Sequence, residues 1–254
     1  MKKIHILSPY EKMGIFSPCY TKFEKGGISV VKVKNNVRAL RKTCLRLNDG
    51  ARVIGFGLEN EKLFSERKVV YNDYSCEHIM PIAEKLCRIV AERYGIQVPF
   101  GEVYIVASPL VACSLISALY RLSRIFTIVS EEETIIKKYD ELYFKHGTLI
   151  RHLPQFASSL SADAIVINCE GNEVPSFVEL PVINMSKAFL KGDRVLSVSE
   201  ILLSDEAIMP FAQVWGGKCG VCAYSLLGVF PSDDTIININ EKADSIFLLD
   251  TEHF

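Results

Sequence analysis

The chain has 254 residues, of which 49% are hydrophobic and 23% charged, with a formal net charge of −1. That length holds one large domain or two modest ones, and the composition is globular rather than disordered. A near-neutral total argues against a dedicated nucleic-acid binder.

The opening MKKIHILSPY has two lysines but only a short apolar run, and so lacks the apolar core and cleavage site of a signal peptide. The uncharged run Val103–Tyr120 approaches the length of a membrane span, about 18–20 residues. Ser108-Pro109 breaks it in the middle and its first half is β-branched, so no membrane association is expected. Eight cysteines without a secretion signal read as reduced thiols, and a cytoplasmic location is expected.

In chain order, Lys3–Leu7 alternates and predicts a first strand. Ser8–Gly27, with Pro9, Gly14, Pro18, Gly26 and Gly27, reads as a long irregular loop, a kind that is often functional. Ile28–Val33 predicts a second strand. Asn35 or Asn36 can cap a helix to about Leu47 with Val37, Leu40, Cys44 and Leu47 as its apolar stripe. Arg52–Gly57 and Lys68–Tyr71 are short strand candidates. From about Cys76 to Tyr94, Ile79, Ile82, Ala83, Leu86, Ile89, Val90 and Tyr94 recur at helical spacing, with Pro81 in the first turn and Gly95 as the stop. Pro99-Phe100-Gly101 then marks a boundary, making residues 1–100 an N-terminal α/β part.

The central segment, residues 101–190, predicts a Rossmann-like parallel sheet. Val103–Ala107 is its first strand. Ser108 is placed to cap a helix running to about Ser123, with Pro109 at the first helical position. Ile125–Val129 is apolar throughout, as a strand covered on both faces should be. Glu131, Glu132 and Glu133 are expected to open a second helix that ends near His146-Gly147. Thr148–Leu153, Ala164–Asn168 and Val182–Met185 complete the strands, with Ser158–Leu160 in a connection. Residues 191–254 form a C-terminal segment expected to pack back on the other parts: a strand at Arg194–Val198, a helix at Ser199–Met209, a Gly-rich Trp215–Cys222, and strands or a tail at Thr235–Asn240 and Ser245–Leu249.

A dinucleotide site is the first chemistry to weigh. In such a site a Gly-rich turn after the first strand lets the backbone approach a pyrophosphate. Here the turn is Ala107-Ser108-Pro109-Leu110-Val111-Ala112. Alanines stand at the first and third glycine positions, and the middle one is Pro109, which has a ring and no N–H. Ser130 and Glu131 lie where an acidic ribose partner is expected. Strand-end polar residues Ser108, Ser130, Asn168, Cys169, Glu170 and Ser186 are placed around one crevice, where Cys169-Glu170 can supply a nucleophile or a general acid/base.

With these residues and the stretch Ser161-Ala162-Asp163-Ala164-Ile165-Val166-Ile167-Asn168, the layout of Val103–Ser186 resembles the nicotinamide-dinucleotide domain of shikimate-dehydrogenase-like proteins. The resemblance implies NAD or NADP as cofactor, held by Ala107, Ser108, Ser130, Glu131 and Asn168. The altered glycine positions point instead to a Rossmann-like protein with a degenerate phosphate-binding turn, a non-catalytic ligand-binding or interaction protein. The alternative is a divergent NAD(P)-dependent oxidoreductase with its site between the N-terminal and Rossmann-like parts.

Three other features carry less. Cys219-Gly220-Val221-Cys222 has the spacing of a redox dithiol or half a zinc site, and further ligands would have to come from Cys169 and His152 through the fold. Buried or incidental thiols are the plainer reading, and no metal is expected. Basic residues from Lys22 to Arg52, including Arg38, Arg41 and Lys42 on one helix, are read first as a solvated face, with an acidic partner or a subunit-to-subunit match to the acidic tail after Ser232 as the other uses. The five histidines, His5, His78, His146, His152 and His253, show no metal spacing. The expected partner is a small molecule, and an oligomer is compatible with the sequence.

Overall fold

The computed structural model of the chain describes residues 4–9, 19–25, 27–34, 36–47, 52–56, 68–70, 73–157, 160–170, 174, 179–188, 190, 192–206, 208–209, 211–212, 218–243 and 246–249. It divides into two compact units. One contains residues 1–73, 202–229 and 238–254, the other residues 74–201 and 230–237.

The first unit is built on a six-stranded mixed sheet in the order β2–β3–β1–β4–β14–β5. Its strands are β1 (Ile4–Pro9), β2 (Cys19–Lys25), β3 (Ile28–Val33), β4 (Arg52–Phe56), β5 (Lys68–Val70) and β14 (Ile246–Leu249). β1 pairs parallel with β3 and β4, while β2 and β14 run antiparallel to their neighbours. Helix α1 (Val37–Arg46) starts where expected because the Asn36 side chain accepts the Ala39 N–H at 2.8 Å. Leu40, Cys44 and half-buried Leu47 of this region pack on Leu7, Val31, Val33 and Val53. Arg38, Arg41 and Lys42 are exposed on the other face. The expected irregular loop contains a regular strand, β2, with a register shift between Thr21 and Phe23; residues 10–18 lie outside the described residues.

The second unit is the Rossmann-like one. Its sheet has the order β11–β10–β9–β6–β7–β8, and every pairing is parallel. The strands are β6 (Glu102–Val106), β7 (Ile125–Val129), β8 (Leu149–Leu153), β9 (Ala164–Asn168), β10 (Val182–Asn184) and β11 (Val195–Ser197). The first strand is central, the second and third lie to one side, and the fourth to sixth lie to the other. Doubly wound dinucleotide-binding folds use this order.

β6 and β9 are buried along their whole length. Alternation sends Tyr104, Val106, Val166 and Val182 to one face, where Phe156, Leu160 and Leu190 from the connections pack against them. Helices α2 (Ala83–Tyr94), α3 (Pro109–Leu119) and α4 (Ile136–His146) supply the helical layer. Among these, α2 contacts α3 and β10, α3 contacts α4 and β7, and α4 contacts β8. Gly95 and Gly147 end α2 and α4 with φ of 66° and 67°, a conformation that costs glycine no steric strain.

Three expectations are corrected. The segment from Cys76 begins with two 3₁₀ turns, Cys76–His78 and Met80–Ile82, and is α-helical only from Ala83. Pro81 explains this, since a helix reaching back to Cys76 would place its ring against the carbonyl one turn earlier. Glu131–Glu133 stand in an exposed bend before α4, which starts at Ile136 with no acidic residue in its first turn. The Ser130 hydroxyl takes the Glu132 N–H at 3.2 Å and holds the chain in that bend. Ser199–Met209 opens as strand rather than helix. β12 (Ile201–Ser204) follows a 3₁₀ turn, with Ile201 and Leu203 buried and Leu202 and Ser204 half-buried, and this period of two fits a strand. β12 pairs with β13 (Ile236–Lys242) in a small sheet. α5 (Val221–Leu227) follows Gly220, and Cys219 is buried before it. Trp215, Ser158 and His253 lie outside the described residues.

A polar row crosses the second unit's sheet. Tyr104, Thr127 and Arg151 are register partners on β6, β7 and β8. Buried Glu102, two residues before Tyr104, accepts the Tyr104 hydroxyl at 2.9 Å and the Thr127 hydroxyl, with the Arg151 guanidinium 3.7 Å away. Replacing Glu102 by Ala leaves two hydroxyls without their acceptor. It is expected to cost about 2–4 kcal/mol, read as a lowered urea midpoint with an unchanged slope.

Candidate functional site

Two adjacent parallel strands leave the middle of the sheet in different directions, β6 into α3 and β9 into Cys169-Glu170. A crevice must open above their carboxyl ends. The register pins it, because Val106 is paired with Asn168 and the Cys169 N–H donates to the Val106 carbonyl at 2.9 Å. The crevice has a volume of about 540 Å³. Its wall is formed by Tyr74 and Ser75 before the first 3₁₀ turn, Cys76 at its start, Val111 on α3, Cys169 and Glu170 after β9, and Met185–Ala188 after β10.

The floor is a hydrogen-bonded chain. Asn168 is fully buried and its Nδ2 donates to Asn184 Oδ1 at 3.3 Å. The same Asn184 oxygen accepts the Ser186 hydroxyl at 2.7 Å, and Asn184 Nδ2 donates to the Ala188 carbonyl at 2.7 Å. The Tyr74 hydroxyl donates to the Ser186 carbonyl at 2.8 Å and ties the entrance segment to the loop after β10. Asn168 therefore shapes the wall behind the crevice.

At the start of α3, Ser108 is the N-cap residue without a side-chain capping bond, and Pro109 follows at the first position. The Ser108 backbone N–H donates to the Glu170 carboxylate. In a dinucleotide fold this helix start would face a pyrophosphate. In this chain the protein's own carboxylate stands there, and Pro109 removes the next N–H. Ala107 is buried below it.

Of the strand-end residues, Cys169, Glu170 and Ser186 line the crevice, and Ser108 reaches it only through its N–H on Glu170. Asn168 lies just beneath. Ser130 is buried at the end of β7 and Glu131 is exposed beyond it, and neither lines the crevice. Tyr74, Ser75 and Cys76 are among the lining residues that sequence reasoning did not find, with Val111, Met185, Lys187 and Ala188. The first three come from a segment that reads only as the approach to a helix, and nothing local marks it as a wall.

Cys76 and Cys169 both line the crevice and their side chains interact. The Cys169 S–H donates to the Cys76 sulfur, and that hydrogen bond brings the Cys76 thiol below its ordinary range despite burial and the nearby Glu170 charge. The same bond pushes Cys169 well up, with burial and the Cys76 and Glu170 charges adding to it. Cys219 and Cys222 belong to the first unit, whereas Cys169 and His152 belong to the second. Among the described residues no group of three or more His, Cys, Asp or Glu side chains is placed to hold a metal ion. No helix among them is long and apolar enough to cross a membrane.

No family model matches the chain, and no curated protein matches it. Among solved structures the chain is similar to the L-tryptophan dehydrogenase from Nostoc punctiforme, at a TM-score of 0.33 and 15% identity over 81% of its length. The chain covers 56% of that enzyme.

The thiol pair has a measurable signature. Alkylation of Cys76 by iodoacetamide, followed site by site in peptide maps, is expected to titrate with a midpoint below that of an ordinary thiol, about 8.5. Cys169 should react only at higher pH. Cys169→Ser, which replaces the thiol donor, should shift the Cys76 midpoint if the hydrogen bond is the cause.

Proposed function

We propose that the protein is a Rossmann-like small-molecule-binding protein whose crevice accepts a small polar ligand and disfavours a dinucleotide. One observation carries this reading: the Glu170 carboxylate on the Ser108 N–H. A pyrophosphate at the start of α3 would have to displace a carboxylate of its own sign and would find a proline where the next donor should be. A ligand with a cationic or hydrogen-donating group is favoured by the same carboxylate. Lys187 brings the opposite charge to the wall, and Val111, Met185 and Ala188 add apolar surface. A small zwitterion with a modest apolar body suits that combination of groups.

The strand order supports the other reading, a divergent NAD(P)-dependent oxidoreductase, because dinucleotide enzymes use the same order. The two readings separate in a thermal-shift panel of NAD, NADP and free amino acids. A ligand at 100 times its Kd stabilises by about 2.7 kcal/mol, easily seen as a rise in Tm. The expected result is no rise with either dinucleotide and a rise with an amino acid that Glu170→Gln abolishes while leaving the unliganded stability within about 1 kcal/mol of wild type. A rise with NAD or NADP in the wild-type protein refutes the proposal and favours the oxidoreductase.

A further inference from the structure

Seven of the described residues are cysteines outside any disulfide, and their surroundings differ sharply. Cys44, Cys87, Cys113 and Cys219 are buried. Burial pushes Cys44 up to about 11, and it pushes Cys87 and Cys113 upward as well. Such thiols are inert packing groups. Cys76 and Cys169 are different. Distant in the chain, they meet through a direct hydrogen bond and line one crevice that is open to small molecules, and neither is fully buried.

We propose that Cys76 and Cys169 form an exchange-active dithiol that reduces a low-molecular-weight disulfide entering the crevice, with Cys76 attacking and Cys169 resolving. The Cys76 thiolate attacks one sulfur of R–S–S–R. A bond forms between Cys76 and that sulfur, the R–S–S–R bond breaks, and RS⁻ leaves and takes a proton from water. Cys169 then gives up its proton to water and attacks the Cys76 sulfur. The mixed disulfide breaks, a second RS⁻ leaves and is protonated, and a Cys76–Cys169 disulfide remains. In sum, two protein thiols are oxidised to one disulfide and R–S–S–R is reduced to two RSH.

The hydrogen bond sets the order of events. Cys169 keeps its proton longer because it donates to Cys76, so Cys76 is the readier nucleophile of the two. Once Cys76 has formed the mixed disulfide its negative charge is gone, the hydrogen bond weakens, and Cys169 loses the main reason to keep its proton. The resolving thiol is thus released by the step it must follow. The exposed Glu170 carboxylate beside the pair opposes negative charge and favours neutral disulfides over anionic ones.

The test uses the reduced full chain and the neutral probe bis(2-hydroxyethyl) disulfide, with acid quenching, denaturing alkylation, intact mass and peptide mapping. The wild-type protein is expected to lose two of its eight alkylatable thiols and to yield a cross-linked Cys76–Cys169 peptide. Cys169→Ser and Cys169→Ala should each retain a hydroxyethylthio adduct on Cys76, and Cys76→Ser should leave Cys169 as a free thiol. Far-UV circular dichroism identifies a variant that has not folded, in which case the wild-type map and the other variant decide. Absence of the cross-linked peptide from folded wild-type protein overturns the proposal, as does an adduct spread evenly over Cys222 and the buried thiols.

Discussion

The pairing of β6 with β9 is the constraint on which the second unit depends. These neighbours are parallel and in register, and each hands the chain to a different segment at its carboxyl end. Two such exits cannot both be roofed by one crossover, so the crevice follows from topology before any side chain is considered. The side chains are then delivered by register. Val106 opposite Asn168 brings the Cys169 N–H to the Val106 carbonyl, which sets Glu170 beside the start of α3. The buried Asn168–Asn184 amide contact continues the arrangement into the loop after β10.

Charge then decides what such a crevice can receive. A helix start offers backbone N–H groups and the positive end of a dipole, and most Rossmann folds present these to a phosphate. Here one N–H is engaged by a carboxylate and its successor is absent at Pro109. The architecture is retained while the polarity offered to a ligand is reversed. The same carboxylate lies near the Cys76–Cys169 pair and opposes loss of a proton from either thiol.

Much of the second unit was legible in the sequence, for identifiable reasons. Ile125–Val129 and Ala164–Asn168 are short, uncharged and β-branched because both faces of their strands are covered. Ser108-Pro109 marks a helix start through local backbone chemistry alone. The place of Cys169, Glu170 and Ser186 on one crevice could be inferred because strand ends converge in this topology. Cys76 could not, since its place on the wall depends on the path of the segment before α2 and on the turns that Pro81 imposes. The strand inside the expected loop at Ser8–Gly27 was hidden by its glycines and prolines. At Ser199–Met209 a mixture of helix-forming residues masked the two-residue alternation of β12. Glu131–Glu133 had the right charge for a helix start, but the Ser130 side chain offers the backbone a turn instead.

The position of β14 has a consequence for biosynthesis. This strand, residues 246–249, lies between β4 and β5, which were made nearly two hundred residues earlier. While the ribosome is still translating, β4 therefore has an unoccupied edge that only the last part of the described chain can fill. The contiguous stretch 74–201 supplies all six strands of the other sheet and can form them as it emerges. Nascent chains should thus carry a finished Rossmann-like sheet while the first sheet still exposes a bare strand edge, the kind of surface that invites pairing with a neighbouring chain on the same polysome.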